Sequence, residues 1–105
     1  MIKKIPILVL ISFVIYSQEN YSIKELTTYP NPFSNQTEIS FKSGKEQIVT
    51  LTVKNILGKT VFSKKITAKY GKNNYQFIRN DLNTGMYVYA IHTYKEQISK
   101  RFVIN

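Results

Sequence analysis

The sequence contains no cysteine and no tryptophan, and it has one histidine, His92, and one aspartate, Asp81. The lack of cysteine excludes disulfide bonds, a thiolate metal site, a cysteine nucleophile and a redox motif. His92 has no Cys, Asp or second His beside it, and Asp81 lies in a predicted turn, where Asx-type hydrogen bonding accounts for it. We therefore predict a protein that is not an enzyme and that uses no cofactor and no metal.

Acidic residues are also scarce, since 6 Asp and Glu stand against 15 Lys and Arg, a formal charge of +9. The length of 105 residues, 43% of them hydrophobic, suits one small folded domain. Positive charge interleaved with tyrosine is one requirement of a surface that binds nucleic acid or acidic glycan. Most tyrosines, however, occupy predicted strand positions, where packing accounts for them. We expect no nucleic-acid binding, and a weak, salt-sensitive attraction to an anionic envelope surface.

The chain has a single long hydrophobic run, at residues 5–16, preceded by Lys3 and Lys4. Twelve residues are too few for a transmembrane helix, which needs about 20. The length, the positive start and the polar residues that follow are typical of a signal peptide, which we place at residues 1–18. An N-terminal core strand and an uncleaved anchor are the alternatives. Removal of the signal would take away Lys3 and Lys4 and lower the charge by two units.

No helical periodicity is found after residue 20, and alternation with a period of two dominates instead. The alternating segments lie at residues 38–42, 49–54, 61–66, 75–78, 86–93 and 98–104. Six to seven short strands predict an all-β fold, a small antiparallel immunoglobulin-like β-sandwich, with a small barrel as the alternative. The order of the strands stays open.

Glycines and one lysine refine this prediction. Gly44, Gly58, Gly71 and Gly85 separate the alternating segments and are expected in turns, with residues 72–74 continuing the turn at Gly71. Lys100 falls on the apolar face of the last strand, which predicts that this strand lies at an edge or extends past the core.

Four short segments, taken in order, resemble one protein family. They are YPNPF at residues 29–33, VKNILGKTV at 53–61, DLNTGMYV at 81–88 and KRFVI at 100–104. The first can be explained simply as a rigid turn, because each proline fixes its own φ and extends the residue before it. In this order and spacing, the chain from about Leu26 to Asn105 resembles the type A C-terminal sorting domain of the type IX secretion system of Bacteroidetes.

The resemblance implies a targeting role. Such domains lie at the C-terminus of exported cargo proteins. They fold as small immunoglobulin-like sandwiches in the periplasm and are recognised by an outer-membrane translocon. A cell-surface sortase commonly removes them and releases the cargo or attaches it to anionic lipopolysaccharide. The residues carried over by position, here called the sorting set, are Pro30, Asn31, Pro32, Gly58, Lys59, Gly85, Tyr87, Lys100, Arg101, Phe102 and Val103. The last strand is the expected contact with the machinery, because an accessible edge can be read by strand addition.

The predicted organisation is a signal peptide at residues 1–18, a short linker at 19–28 and a monomeric sorting domain at 29–105, with almost no cargo. We expect passage through the periplasm and then a cell-surface or secreted location. Deletion of the last five residues is expected to abolish transfer and leave a folded domain. The alternatives are an extracellular adhesion or protein-interaction module, and a basic binder of acidic glycan or nucleic acid.

Overall fold

The computed structural model describes residues 22–105, so the predicted signal peptide at 1–18 lies outside the described residues. The described chain forms seven β-strands: β1 (Ile23–Tyr29), β2 (Gln36–Ser43), β3 (Gln47–Asn55), β4 (Thr60–Ala68), β5 (Gly71–Ile78), β6 (Gly85–His92) and β7 (Gln97–Ile104). The all-β prediction is confirmed. No helix within residues 22–105 has the length and apolar character needed to cross a membrane.

The strands form two antiparallel sheets. One has three strands in the order β1-β2-β5, and the other has four in the order β4-β3-β6-β7. The two sheets pack face to face as a sandwich, rather than joining as a barrel, around a core from both inner faces. The chain changes sheet after β2, after β4 and after β5.

Alternation places the core as the sequence predicts. Val49, Leu51 and Val53 are buried on β3 while Thr50 and Thr52 lie half-exposed on the outer face. The pattern arises because successive side chains of a strand point to opposite faces of the sheet.

Strand β7 confirms the edge prediction. It pairs with β6 on one side and is the last strand of its sheet. Phe102 and Ile104 are buried, whereas Lys100 is exposed although it shares their side of the strand. A lysine at this position keeps an edge from pairing with other chains.

Strand β1 covers most of the segment that the sequence suggested as a linker at 19–28. Ile23 and Leu26 are buried, and β1 pairs with β2 along the first sheet. The register shifts between Lys24 and Thr27, and Glu25 between them has a φ of 57°. This bulge places two buried residues three positions apart instead of two, which hides the strand from a search for strict alternation.

Residues 72–74 belong to β5, and the prediction that they continue a turn is wrong. Asn73 is buried there and its side chain bonds the preceding turn. Its Oδ1 accepts the N–H of Lys69 at 2.9 Å, and its Nδ2 donates to the carbonyls of Lys69 at 2.9 Å and Gly71 at 3.1 Å. Asparagine is rare in strands, so the sequence favours a turn, while backbone pairing with β2 makes these residues a strand.

Candidate functional site

The sorting set lies around one end of the sandwich, because the strand registers bring its loops together. Asn55 at the end of β3 pairs with Tyr87 at the start of β6, and Gly85 pairs with Ile104 at the end of β7. In the other sheet the start of β2 pairs with the end of β5. We call this end, formed by residues 30–35, 55–59, 79–87 and 100–105, the motif end; Lys100, paired with Tyr89, is its farthest member along the sheet. The opposite end carries residue 22 and the turns at residues 44–46, 69–70 and 93–96.

Asn31 and Phe33 bind the outer edge of β7. Asn31 Oδ1 accepts the N–H of Val103 at 3.0 Å, and its Nδ2 donates to the carbonyl of Arg101 at 3.3 Å. The N–H of Phe33 donates to the carbonyl of Val103 at 3.0 Å, and the N–H of Asn105 donates to the carbonyl of Phe33 at 2.8 Å. The C-terminal half of this strand edge is therefore already paired within the molecule.

This pairing limits strand addition, which the sequence analysis expected along β7. In an antiparallel strand alternate residues direct their backbone groups to the same side, so the outer edge is formed by Gln97, Ser99, Arg101 and Val103. Among residues 22–105, other segments bond this edge only from the Arg101 carbonyl onward. An added strand can reach only the N-terminal half, near Ser99, unless the segment with Asn31 and Phe33 moves away.

The four β7 residues of the sorting set divide into two groups. The side chains of Lys100 and Arg101 are exposed, and that of Val103 is 37% exposed, so all three are accessible to a partner. Phe102 is buried. Its ring lies 5.1 Å from Phe33, 5.5 Å from Phe77 and 5.2 Å from Tyr89 between centroids. Phe102 therefore holds the motif end together from inside.

Pro30 and Pro32 shape the connection that carries Asn31. The peptide bonds before both prolines are cis. The Pro30 carbonyl accepts the hydroxyl of Thr37 at 2.6 Å, which fixes the loop to the beginning of β2. The prolines belong to the frame that places Asn31 against β7.

The turn between β3 and β4 has Gly58 in the left-handed region, with a φ of 85°, as the sequence predicts. Asn55 closes it, since its Oδ1 accepts the N–H groups of Leu57 and Lys59 at 3.0 Å each. The turn displays Ile56 and Leu57, which are 74% and 87% exposed. Sequence analysis missed this apolar tip, although two large apolar residues inside a turn were a visible signal.

Gly85 and Tyr87 have structural roles at the start of β6. The buried Tyr87 donates its hydroxyl to the carbonyl of Asn83 at 2.7 Å. This bond resembles the tyrosine corner of immunoglobulin-like sandwiches, in which a tyrosine near the start of a strand bonds backbone a few residues upstream. This bond holds the loop between β5 and β6 against the sheet.

Arg79 is the second residue that sequence analysis missed. Its Nε donates to the carbonyl of Leu82 at 2.8 Å, and its Nη1 donates to main-chain oxygens of Ser34 at 3.1 Å and Asn105 at 2.9 Å. Its Nη2 donates to the hydroxyl of Thr84 at 3.3 Å. One guanidinium thus joins two loops and the end of β7. The only signal was its chemistry, because it is one of two arginines in a lysine-rich chain.

Beneath these loops, Tyr89 stacks on Phe102 and its hydroxyl lies in the interior. Burial raises the pKa of Tyr89 above its ordinary value of 10.0. The hydroxyl therefore stays protonated through the physiological range and acts as a packing group.

The residues considered for catalysis lie apart. His92 ends β6 near the opposite end, where its Nε2 lies 2.9 Å from the hydroxyl of Thr52, whereas Asp81 lies in the turn after β5 at the motif end. Within residues 22–105, no group of three His, Asp or Glu side chains is arranged to hold a metal ion. The described geometry therefore offers hydrogen bonds and surfaces for contact.

Comparison with known families identifies the family of the chain. The sequence profile described as the secretion system C-terminal sorting domain matches residues 27–105. The chain belongs to this family. The sorting domain has the role of a type IX secretion sorting signal, and its family is a targeting family rather than a catalytic one. It implies interaction with the secretion machinery and export to the cell surface or medium. None of the curated proteins matches the chain significantly.

Proposed function

We propose that residues 23–105 are a folded sorting signal that the outer-membrane translocon of the type IX system recognises at the motif end. The single observation that supports this most strongly is that the sorting set of a family-matched chain lies around one end of the sandwich. In this proposal the signal peptide at residues 1–18 brings the chain across the inner membrane, and a sortase removes the domain at the surface.

Some residues of the sorting set are accessible for contact with a partner, and the others, here called frame residues, hold the loops and the strand edge in place. Lys59, Lys100 and Arg101 are exposed and present cations to a partner. The prolines, the glycines, Asn31, Tyr87 and Phe102 hold the loops and strand edge that carry these cations. Recognition in this form depends on the fold, rather than on a linear peptide.

The cations also support a second, weaker contact. An excess of exposed lysine and arginine attracts anionic lipopolysaccharide, and this attraction falls as salt is added. The domain acts as a monomer in this proposal, supported by exposed Lys64 and Lys65, which discourage edge pairing along β4.

The experiment inserts a reporter between residues 18 and 19 of the full chain, in a host that has the type IX translocon. We expect the reporter at the cell surface or in the medium, and in the periplasm of a host that lacks the translocon. Retention in the periplasm of the competent host would contradict the proposal.

Deletion of the last five residues is a poor variant for this experiment. Phe102 and Ile104 are buried, so the deletion removes two core side chains and also the strand edge that Asn31 bonds. Our expectation that the shortened domain stays folded does not fit this packing. Paired exposed substitutions are cleaner.

The paired variant is Lys100→Gln with Arg101→Gln, and its control is Lys64→Gln with Lys65→Gln. Both pairs are exposed, lie on edge strands of the same sheet and remove two charges. We expect the first pair to reduce surface delivery and the second to leave it unchanged. Equal effects would show that total charge, rather than the motif end, controls delivery.

A further inference from the structure

The two sheets differ in charge. The acidic residues between 22 and 105 are Glu25, Glu38, Glu46, Asp81 and Glu96, and none of them lies in a strand of the four-stranded sheet. The strands of that sheet carry only cations: Lys54, Lys64, Lys65, Lys100 and Arg101. The three-stranded sheet carries both signs, and its Lys42 Nζ lies 3.4 Å from Glu25 Oε1. Lys54, Lys65 and Arg101 lie on the outer face of this sheet, because they pair with the outward-facing Val88 or Thr50, whereas Lys64 and Lys100 lie on the inner side. The outer face of the four-stranded sheet is therefore the one that attracts a carboxylate-bearing partner.

One corner of this sheet also exposes apolar side chains. Met86 pairs with Val103 across β6 and β7, and both are partly exposed on the outer face. Val88, two residues after Met86, is exposed on the same face. Asn55, the last residue of β3, pairs with Tyr87, so the turn that carries Ile56 and Leu57 begins at the end of the sheet where Met86 lies. We call Ile56, Leu57, Met86, Val88 and Val103 the apolar corner.

Cations surround the apolar corner. Val88 pairs with Lys54 on one side and Arg101 on the other, and directly paired residues share a face. Arg101 Nη1 lies 4.0 Å from Met86 Sδ, and Lys59 follows the tip of the turn. A contact that buries the corner brings these cations into the surrounding rim, where carboxylates on the partner would strengthen it.

The corner is held rigid before any partner arrives. Asn55 fixes the turn through two accepted backbone bonds, and β6 is paired on both sides. Little conformational freedom is lost on binding, which favours affinity from a small area. The corner joins the partly exposed Met86, Val88 and Val103 to the more exposed turn, and this fixed shape gains more from a shaped protein recess than from a fluid lipid layer.

We propose that the apolar corner, with Lys54, Lys59 and Arg101 around it, docks into an apolar recess bordered by Asp and Glu side chains on a protein of the secretion machinery. This inference rests on the proposed function and assigns it a surface. It also assigns a contact role to Ile56, Leu57, Met86 and Val88, which are outside the sorting set.

The test uses the full chain with the reporter between residues 18 and 19, carrying Leu57→Glu or the control Ile48→Glu. Ile48 is 64% exposed on the same sheet, in β3, at the opposite end. Both substitutions place a carboxylate at an exposed position, so we expect both domains to fold with unchanged thermal midpoints. Leu57→Glu should reduce surface delivery by about tenfold, which corresponds to about 1.4 kcal/mol of binding. Ile48→Glu should not reduce it.

A photo-crosslinking side chain placed at position 57, or at position 48, supplies the second readout. We expect position 57 to attach to an outer-membrane component of the machinery, identified by mass spectrometry, and position 48 not to do so. Attachment of position 57 to lipopolysaccharide instead would overturn the protein partner. If Leu57→Glu has a lower thermal midpoint, the crosslink at position 57 decides whether the docking surface is right, because that experiment introduces no charge.

The outcomes separate the two proposals. If the unmodified reporter chain stays in the periplasm, the proposed function fails. If it reaches the surface and Leu57→Glu reaches it equally well, the docking surface is wrong while the sorting function stands.

Discussion

The two ends of the sandwich are closed by different kinds of contact. At the motif end, side chains bond backbone above a cluster of aromatic rings around Phe102. Asn55, Arg79 and Tyr87 bond loop backbone, and Asn31 bonds the backbone of β7. At the opposite end, small polar side chains form the cap. Glu96 Oε2 accepts the N–H of Ser22 at 2.9 Å and also its hydroxyl, and Gln47 Nε2 donates to the Ser22 hydroxyl at 3.2 Å and the Ser43 hydroxyl at 3.0 Å.

This contrast teaches how to interpret a sequence motif. The opposite end is closed by bonds among Ser22, Ser43, Gln47 and Glu96. The bonds of the motif end hold an exposed turn and an edge strand in place. Most members of the sorting set are frame residues, and the surface beside them includes Leu57 and Val88, which lie in the motif segments but not in the sorting set. Four substitutions test the contrast, in order of decreasing expected effect.

Phe102→Ala should produce the largest loss of stability, about 3–5 kcal/mol, because it leaves a cavity among aromatic rings. Ile91→Ala, a buried change at the opposite end of β6, is the comparison. We expect Phe102→Ala to exceed it by about 1 kcal/mol, since aromatic pairs contribute beyond their buried area. Urea unfolding measures both. A larger loss from Ile91→Ala would show that the packing around Ile91 contributes more to stability than the aromatic cluster around Phe102.

Arg79→Ala should cost about 2 kcal/mol, because hydrogen bonds from a charged donor to three loop carbonyls are lost and water replaces them only in part. Arg79→Lys should recover little, since an ammonium cannot reproduce the planar fork. Chemical denaturation gives the free energy of unfolding, and hydrogen exchange should show faster exchange in residues 79–84. Full recovery by lysine would mean that charge alone matters at this position.

Gly58→Ala should cost about 1–2 kcal/mol, because alanine is strained at a φ of 85° although a Cβ there meets no atom within 4 Å. Gly44→Ala at the opposite end is the control. Gly44 has no positive φ, and its added Cβ would lie 3.7 Å from the Ser22 carbonyl oxygen, an ordinary contact. Thermal unfolding should therefore separate the two variants. Equal midpoints would contradict the strain argument.

Tyr89, between the two ends, should give the smallest effect, visible only in alkali. Its folded pKa is raised by burial above 10.0, so above that pH the unfolded chain loses a proton that the folded chain keeps. The contribution of the Tyr89 hydroxyl to the free energy of unfolding is fully present below about pH 10. It falls as pH rises, by at most about 1.4 kcal/mol per pH unit. Tyr89→Phe should lack this decline. The urea midpoints of the unmodified chain and of Tyr89→Phe are measured at about pH 9 and about pH 11. An equal fall of the midpoint in both chains would show that other groups cause the loss of stability.

The extent of prediction from sequence can be judged from particular strands. The sequence predicts β3 because Val49, Leu51 and Val53 alternate with outward-facing residues. A bulge at Glu25 breaks the alternation of β1, so the pattern does not predict that strand, and asparagine, which is rare in strands, favours a turn at residues 72–74. In the site, glycine and proline positions were visible, but Arg79 and Leu57 acquire their meaning from neighbours far away in the chain.

The sequence by itself determined the class of the protein: an all-β domain without cysteine chemistry, a cationic surface and the ordered motifs of a sorting domain. These features depend on composition and on spacing along the chain. Tertiary structure alone decided which strands share a sheet, that Asn31 and Phe33 cover the edge of β7, and that the apolar corner lies among cations on a sheet without strand carboxylates. The physical reason is that these contacts join distant parts of the chain: Gln36 pairs with Ile78, and Asn31 bonds Arg101, 70 positions later. Period-two alternation tells which face a side chain occupies but carries no information about which strand lies next to it.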